Sequence, residues 1–218
     1  MSATGKSGEN PITADDGHDT GFEQTLRQAR HGDDDALARL LERFGPGVRA
    51  AIDISPKWRS EIESDDVLQV TYIDAFLRIG SCTARNEAMF QAWLAQIARH
   101  NLMDAIRGLE AEKRPPADRP LRLNGDGDAY ARLCELVGAT TTTPSRVASR
   151  AELRLLVEQA IARLPTDYAT VIQQIDLGGA APTAVAERLG RSRAAVHMLA
   201  GRARERLREI LGAGTKYF

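Results

Sequence analysis

The C-terminal part of the chain, from Leu164 to Leu211, constrains the fold most, because it reads as three helices separated by residues that stop or start helices. Those residues are Pro165, Gly178, Gly179, Pro182, Gly190 and Ser192. The third helix has an apolar side, and arginines surround the rest of it. Its inward positions are Val196, Leu199, Ala203, Leu207 and Ile210, and its arginines are Arg193, Arg202, Arg204, Arg206 and Arg208. This order is that of a helix-turn-helix, whose last helix fits the major groove of DNA.

A small helical bundle with a solvated arginine face is the alternative interpretation of this segment. We favour DNA binding because the turn residues, the short second helix and the basic third helix occur together. The two interpretations differ in salt dependence. Phosphate contacts release counterions, so DNA binding weakens steeply as salt rises, whereas internal packing does not.

The overall charge does not indicate an indiscriminate nucleic-acid binder. The 218 residues carry a formal net charge of −1, with acidic residues near the start and positive charge gathered between Arg188 and Arg208. DNA binding must therefore depend on local charge.

Helical periodicity also accounts for the rest of the chain, which predicts an all-α fold of two small helical domains joined by a flexible linker. The predicted division is residues 1–20 as a disordered tail, 21–112 as the first domain, 113–146 as the linker, 147–212 as the helix-turn-helix domain and 213–218 as a tail. We expect a break at Gly45-Pro46-Gly47, an exposed Asp74, and a short helix at 130–137 within the Pro- and Gly-rich linker.

Several function classes are disfavoured by what the sequence lacks. The two cysteines, Cys82 and Cys134, have no metal-ligand or redox spacing, and the four histidines are scattered. No Gly-rich phosphate loop or nucleophile elbow is present. We therefore expect neither an enzyme nor a bound cofactor, metal or small-molecule substrate. The chain has no signal-peptide pattern and no long apolar run, so we expect a cytoplasmic protein without membrane insertion.

Taken together, the two halves resemble the bacterial RNA polymerase sigma factors of the extracytoplasmic-function group. Residues 29–40 are similar to that family's opening helices, 65–72 to its polymerase-binding helix and 90–99 to the helix that follows. Three such segments in order, followed by a linker and a helix-turn-helix, make the resemblance specific. It extends from Phe22 to Leu211.

The resemblance implies roles for residues in the first domain. One set would dock on the clamp coiled coil of the largest polymerase subunit: Asp65, Asp66, Gln69, Thr71 and Tyr72. A second set, in the loop 81–87 and the helix 89–107, would open the minus-ten promoter element by capturing an unstacked base: Arg85, Asn86, Arg99, His100 and Arg107. Phe90 and Trp93 have the spacing of core residues, and we assign them to packing.

The resemblance also makes the second domain a reader of the minus-thirty-five element. Its expected DNA contacts are Arg191, Arg193, Ala194, His197, Met198, Arg202 and Arg204. Three linker acids would imitate RNA phosphates inside the polymerase: Asp118, Asp126 and Asp128. The implied partners are core RNA polymerase and promoter DNA, and an anti-sigma protein is a candidate partner because many relatives are held inactive by one.

Two further functions remain as alternatives. One is a polymerase-independent helix-turn-helix regulator whose first domain is a helical sensor, although that domain shows no ligand motif. The other is a protein-interaction module in which the arginine helix only packs on a partner. Binding to core polymerase separates a sigma factor from an independent regulator.

Overall fold

The computed structural model describes residues 16–114, 129–138 and 150–214, and every regular element within these ranges is helical. The α-helices are α1 (Asp16–Arg30), α2 (Asp34–Ala51), α3 (Ser64–Arg78), α4 (Glu87–Lys113), α5 (Ala129–Leu136), α6 (Arg150–Ile161), α7 (Thr166–Val171), α8 (Pro182–Leu189) and α9 (Arg193–Gly214). Short 3₁₀ turns lie at Pro56–Trp58 and Ile79–Ser81, and a π-helical turn lies at Ile172–Leu177. The predicted all-α fold class is confirmed.

The first domain is built around three phenylalanine rings contributed by α1, α2 and α4. The centroids of Phe22, Phe44 and Phe90 lie 5.3 to 5.9 Å apart in edge-to-face arrangements. The Trp93 ring lies 5.5 Å from that of Phe90 and is partly buried against the same core. The predicted packing role of Phe90 and Trp93 is therefore confirmed.

The expected break at Gly45-Pro46-Gly47 is wrong, because α2 continues through it as one helix. A proline inside a helix removes one backbone hydrogen bond and crowds the preceding turn. α3 packs on the turn that precedes this proline, where the Tyr72 hydroxyl donates to the Leu41 carbonyl at 3.2 Å. A Cβ atom at Gly45 would collide with the same Tyr72 side chain, so this glycine permits the close approach of the two helices.

The turn between α8 and α9 has the geometry that its sequence predicts. Gly190 ends α8 in the left-handed conformation, with φ of 62°. The Ser192 side chain then caps α9, because its Oγ accepts a hydrogen bond from the Ala195 N–H at 3.0 Å. The five predicted core positions of α9, from Val196 to Ile210, are all buried.

The first helix of the helix-turn-helix changes its pitch before it ends. From Ile172 the hydrogen bonds widen, and the Gly178 N–H donates to the Gln173 carbonyl five residues earlier at 2.8 Å. The wide turn ends at Leu177, and Gly179, two residues later, has a φ of 67°. Asp176, inside this turn, pairs with Arg204 of α9 at 2.7 Å.

The predicted tails and linker are only partly described. α1 begins at Asp16, so the end of the tail predicted at 1–20 is helical, and α4 reaches Lys113 at the start of the predicted linker. The short helix expected at 130–137 is present as α5, which packs against α6 and the π-helical turn. The remaining linker residues, including Asp118, Asp126 and Asp128, lie outside the described residues. None of the described helices is both long and apolar enough to cross a membrane.

The two predicted domains are packed against each other rather than held apart. α9 lies against α4 and also touches α3, and a continuous apolar core extends through both halves. This arrangement decides which of the predicted site residues are accessible.

Replacing Gly190 by alanine tests the turn between α8 and α9. We expect Gly190→Ala to lower the free energy of unfolding by about 1 kcal/mol, because a Cβ atom is strained at a positive φ. Gly212→Ala is the matched control, since a Cβ atom added at that helical glycine would meet nothing within 4 Å and alanine is the better helix former. Urea unfolding measures both variants, and equal effects would contradict the assignment.

Candidate polymerase and nucleic-acid interface

The residues predicted to open the minus-ten element lie on α4 and on the loop before it. Arg85, Asn86, Arg99, His100 and Arg107 are all exposed. Asn86 also begins α4, because its Oδ1 accepts a hydrogen bond from the Met89 N–H at 2.9 Å. The structure thus leaves this set of side chains accessible.

The residues predicted to bind polymerase begin at the first turn of α3. Asp65 is exposed and binds Arg49 of α2, with Nη2 and Oδ2 3.0 Å apart. This hydrogen bond with Arg49 holds the pKa of the Asp65 carboxyl below its ordinary value. Gln69 is exposed, Asp66 is half-buried, and Tyr72 is half-buried through its contact with α2.

Thr71 does not lie on the accessible surface where it was predicted. Its side chain is fully buried between α3 and α4. The hydroxyl donates to the Val67 carbonyl at 2.7 Å and accepts from the Asn101 amide at 3.2 Å. Thr71 therefore joins two helices of the first domain.

The side of α9 expected to face DNA is covered by the first domain. Ala194 and Met198 are 0% exposed, and they share a helix face with Gly201, whose Cα approaches Asp104 of α4. His197 lies against Gly108 of α4. The expectation that Ala194, His197 and Met198 face a groove is therefore not met here, because α4 occupies that side of the helix.

Burial also affects the ionisation of His197. Its side chain is 12% exposed, with Nε2 3.3 Å from the Glu112 carboxylate. Burial lowers the pKa of the imidazole, and the neighbouring Glu112 opposes this effect.

The predicted polymerase-binding and minus-thirty-five residues contact each other. Arg191 donates to Gln69, and the Ser192 hydroxyl donates to Asp66. Next to them, the Arg193 guanidinium lies 3.0 Å from the Glu61 carboxylate and 3.5 Å from that of Glu112. The predicted polymerase-binding surface and the predicted minus-thirty-five surface thus cover each other in this structure, although the sequence assigns them to different partners.

The last two predicted minus-thirty-five arginines are held by carboxylates. Arg202 is 11% exposed at its side chain, and its Nε donates to Asp104 of α4 at 2.9 Å. Burial opposes the charge of Arg202, but the hydrogen bond with Asp104 and the negative charges of Asp104, Glu205 and Asp74 together outweigh it and raise the pKa of the guanidinium. Arg204 instead pairs with Asp176 of its own domain.

A buried pair, Asp74 and Tyr168, joins the two domains beside Arg202, and the sequence analysis missed it. Asp74 is 2% exposed, so its expected exposure is wrong, and the Tyr168 hydroxyl donates to it at 2.7 Å. Burial raises the pKa of the Asp74 carboxyl, which this hydrogen bond and the Arg202 charge partly offset. Its position four residues after the apolar Val70 and seven after the apolar Val67 was a signal that Asp74 lies on the inner face of α3.

Comparisons with known proteins agree with the order of these elements. The family model described as sigma-70, region 4, matches residues 154–207, from α6 into α9. The chain is 33% identical over 144 residues to the ECF RNA polymerase sigma factor SigC of Mycobacterium tuberculosis, a match covering 60% of this chain and 76% of the relative. The probable RNA polymerase sigma-C factor of Mycobacterium bovis matches equally well. The ECF RNA polymerase sigma factor SigW of Bacillus subtilis is 25% identical over 152 residues, covering 69% of this chain and 75% of that protein.

The buried Asp74 predicts a specific pH dependence of stability. Because its pKa is raised above the ordinary value of 3.8, its contribution to stability is complete below that pH and is lost as the pH rises through the raised pKa. Relative to Asp74→Asn, the wild-type protein should therefore gain free energy of unfolding as the pH falls from about 7 to about 4. Urea unfolding over this range measures the difference, with the exposed Asp34→Asn as control. A difference that is independent of pH would contradict the assignment.

Proposed function

Since this chain belongs to the extracytoplasmic-function sigma factors of RNA polymerase, which initiate transcription together with that enzyme, we propose that its two helical domains read two promoter elements for core polymerase. The first domain, residues 21–112, would bind core polymerase and the minus-ten element. The second, residues 147–212, would bind the minus-thirty-five element. The observation that carries this division is the helix-turn-helix at α7–α9, which the segment matching the region 4 model covers as far as residue 207 of α9.

In the first domain, the exposed turn at the start of α3 is the proposed polymerase-binding surface. Asp65 and Gln69 are accessible at their side chains, and Asp66 and Tyr72 lie beside them with partial exposure. A mixture of carboxylates, an amide and an aromatic ring is a suitable protein-binding surface. Thr71 contributes by joining α3 to α4 beneath it.

The minus-ten element would be opened by the loop before α4 and the exposed side of α4. Cationic side chains at Arg85, Arg99 and Arg107 suit the phosphates of a separated strand, and all three are exposed. His100 and Asn86 add hydrogen-bonding groups. Unstacking a base costs a few kcal/mol, which contacts of this kind must offset.

In the second domain, the start of α9 would enter the major groove. Arg193 could contact guanine through its two-pronged guanidinium, and Ala194 could contact a thymine methyl. The remaining proposed contacts are Arg191, His197, Met198, Arg202 and Arg204. Some residues of this set are covered by the first domain. They would reach DNA only after α9 separates from that domain.

The proposed role includes no covalent chemistry, and its place is the cytoplasm, where the polymerase works. An anti-sigma protein is a further proposed partner. Such a protein would bind the surfaces of α3 and α9 that polymerase and DNA also bind.

Binding to purified core polymerase tests the proposal, and Asp65 offers a clean variant because it contacts α2 and not the second domain. We expect the protein to bind core polymerase and direct transcription from specific start sites, and Asp65→Ala to weaken binding about tenfold. Asp34→Ala is the matched control, since Asp34 is also an exposed aspartate in the first turn of a helix. DNA binding without any polymerase binding would instead indicate the independent regulator.

Promoter choice tests the role of α9. We expect the double variant Arg193→Ala with His197→Ala to alter preference at the minus-thirty-five element when start sites are mapped with core polymerase present. Arg206→Ala is the control, because Arg206 pairs with Glu209 on another side of α9. An unchanged set of start sites would support the interaction-module alternative for this helix.

A further inference from the structure

We infer that Arg30, the last residue of α1, is a positioning residue for promoter recognition, because its guanidinium group fixes the loop that precedes α4. This recognition loop comprises residues 82–86. Its outward side chains would then meet the minus-ten element in one defined register. The inference rests on the proposed function, since it concerns the loop assigned there to the minus-ten element.

The recognition loop is extended, and its side chains alternate between the core and the solvent. Cys82 and Ala84 are each 4% exposed, whereas Thr83, Arg85 and Asn86 are exposed. The backbone at Cys82 has φ of −65° and ψ of 124°, in the extended region. The alternation therefore adds Thr83 to the outward side chains that the sequence analysis assigned to the minus-ten element.

Local hydrogen bonds hold the recognition loop at its two ends. The Cys82 N–H donates to the Ile79 carbonyl at 3.0 Å, and the Asn86 Oδ1 accepts from the Met89 N–H at 2.9 Å. Successive side chains of an extended segment point to opposite sides, so a slip of one residue would turn the outward side chains inward. A contact at the middle of the loop is what prevents such a slip.

Arg30 provides that contact. Its Nη2 donates to the Ala84 carbonyl at 2.5 Å, across 54 residues of sequence. The side chain is half-buried and its Nε atom is buried, so the guanidinium lies against the protein instead of extending into solvent. A hydrogen bond from a charged donor is stronger than a neutral one, and a guanidinium is always charged. Fixing Ala84 also fixes Thr83 and Arg85 on either side of it.

The helix that carries Arg30 is itself firmly placed. Phe22 of α1 is buried, and its ring lies 5.9 Å from that of Phe90 in α4. α1 also packs on the 3₁₀ turn at Ile79–Ser81, next to the recognition loop. Arg30 thus holds the loop in a fixed position relative to α4, where the other proposed minus-ten residues lie.

Replacing Arg30 by methionine in the full-length protein tests the inference. Methionine keeps an unbranched apolar stem and a high helix propensity but removes the donor. Arg27→Met is the matched control, because Arg27 is an exposed arginine in the same last turn of α1, and both variants lose one cation near the helix C-terminus. Circular dichroism checks that both variants retain their helix content.

Nitrogen-15 relaxation measures the recognition loop without any partner. We expect the order parameters of the amides at 83–85 to fall from about 0.85 to below about 0.6 in Arg30→Met, because the loop loses its central contact. Arg27→Met should match the wild-type protein. Equal order parameters in the two variants would overturn the inference.

Transcription with purified core polymerase measures the consequence for recognition. The template is a promoter located by mapping start sites, with each base of its two elements replaced in turn. We expect Arg30→Met to reduce discrimination between bases of the minus-ten element about fivefold and to leave discrimination at the minus-thirty-five element unchanged. Arg30→Lys, which keeps a cationic donor, should lie between Arg30→Met and the wild type.

The outcomes separate this inference from the proposed function. Minus-ten discrimination that is equal in Arg30→Met and Arg27→Met would overturn the role of Arg30 and leave the proposed function intact. If the wild-type protein itself gives no polymerase-dependent start sites, the proposed function fails, and the inference fails with it.

Discussion

Two glycines let α4 and α9 approach more closely than larger side chains would allow, and the position of the second domain depends on this approach. α4 serves both halves of the molecule. Its Phe90 lies in the aromatic core of the first domain, and farther along it Asp104 and Gly108 meet α9. Because one helix makes both contacts, the side chains of α4 that are proposed to bind the minus-ten element keep a fixed position relative to the covered side of α9.

The buried polar groups near this crossing determine how the domains meet. An apolar contact alone would tolerate sliding, whereas the hydrogen bond from Tyr168 to Asp74 and that from Arg202 to Asp104 each need one register. On the same helix as Asp74, Thr71 receives a hydrogen bond from Asn101 of α4, which keeps the surface under α9 in place. The buried carboxylate opposes docking through its lost hydration and also limits docking to one geometry.

Local signals were sufficient to predict the helices, because Gly190, Ser192 and the apolar side of α9 act on their own neighbourhood in the chain. Long-range contacts were not predictable in the same way. Pro46 lies inside α2, and Tyr72 of α3 packs on the turn before it. The burial of Met198 had no local signal either, since helical spacing identifies the sides of a helix but not what covers them. Asp74 is intermediate: its helical spacing indicates the inner face of α3, but a charged residue by itself predicts exposure, and only the fold provides the Tyr168 hydroxyl.

The π-helical turn at Ile172–Leu177 bears on how this domain tolerates changes in length. A turn with hydrogen bonds five residues apart holds one residue more than an α-helical turn, and each residue of a helix advances it by about 100°. Deleting a single residue here would restore regular pitch, and the parts of the helix before and after the turn would keep their relative angle. Tyr168 would still point at Asp74, whereas a deletion in the regular part of α7 after Tyr168 would rotate it away by about 100°. The extra residue thus makes this turn the place where the helix can lose one residue and keep the contact between the two halves of the protein.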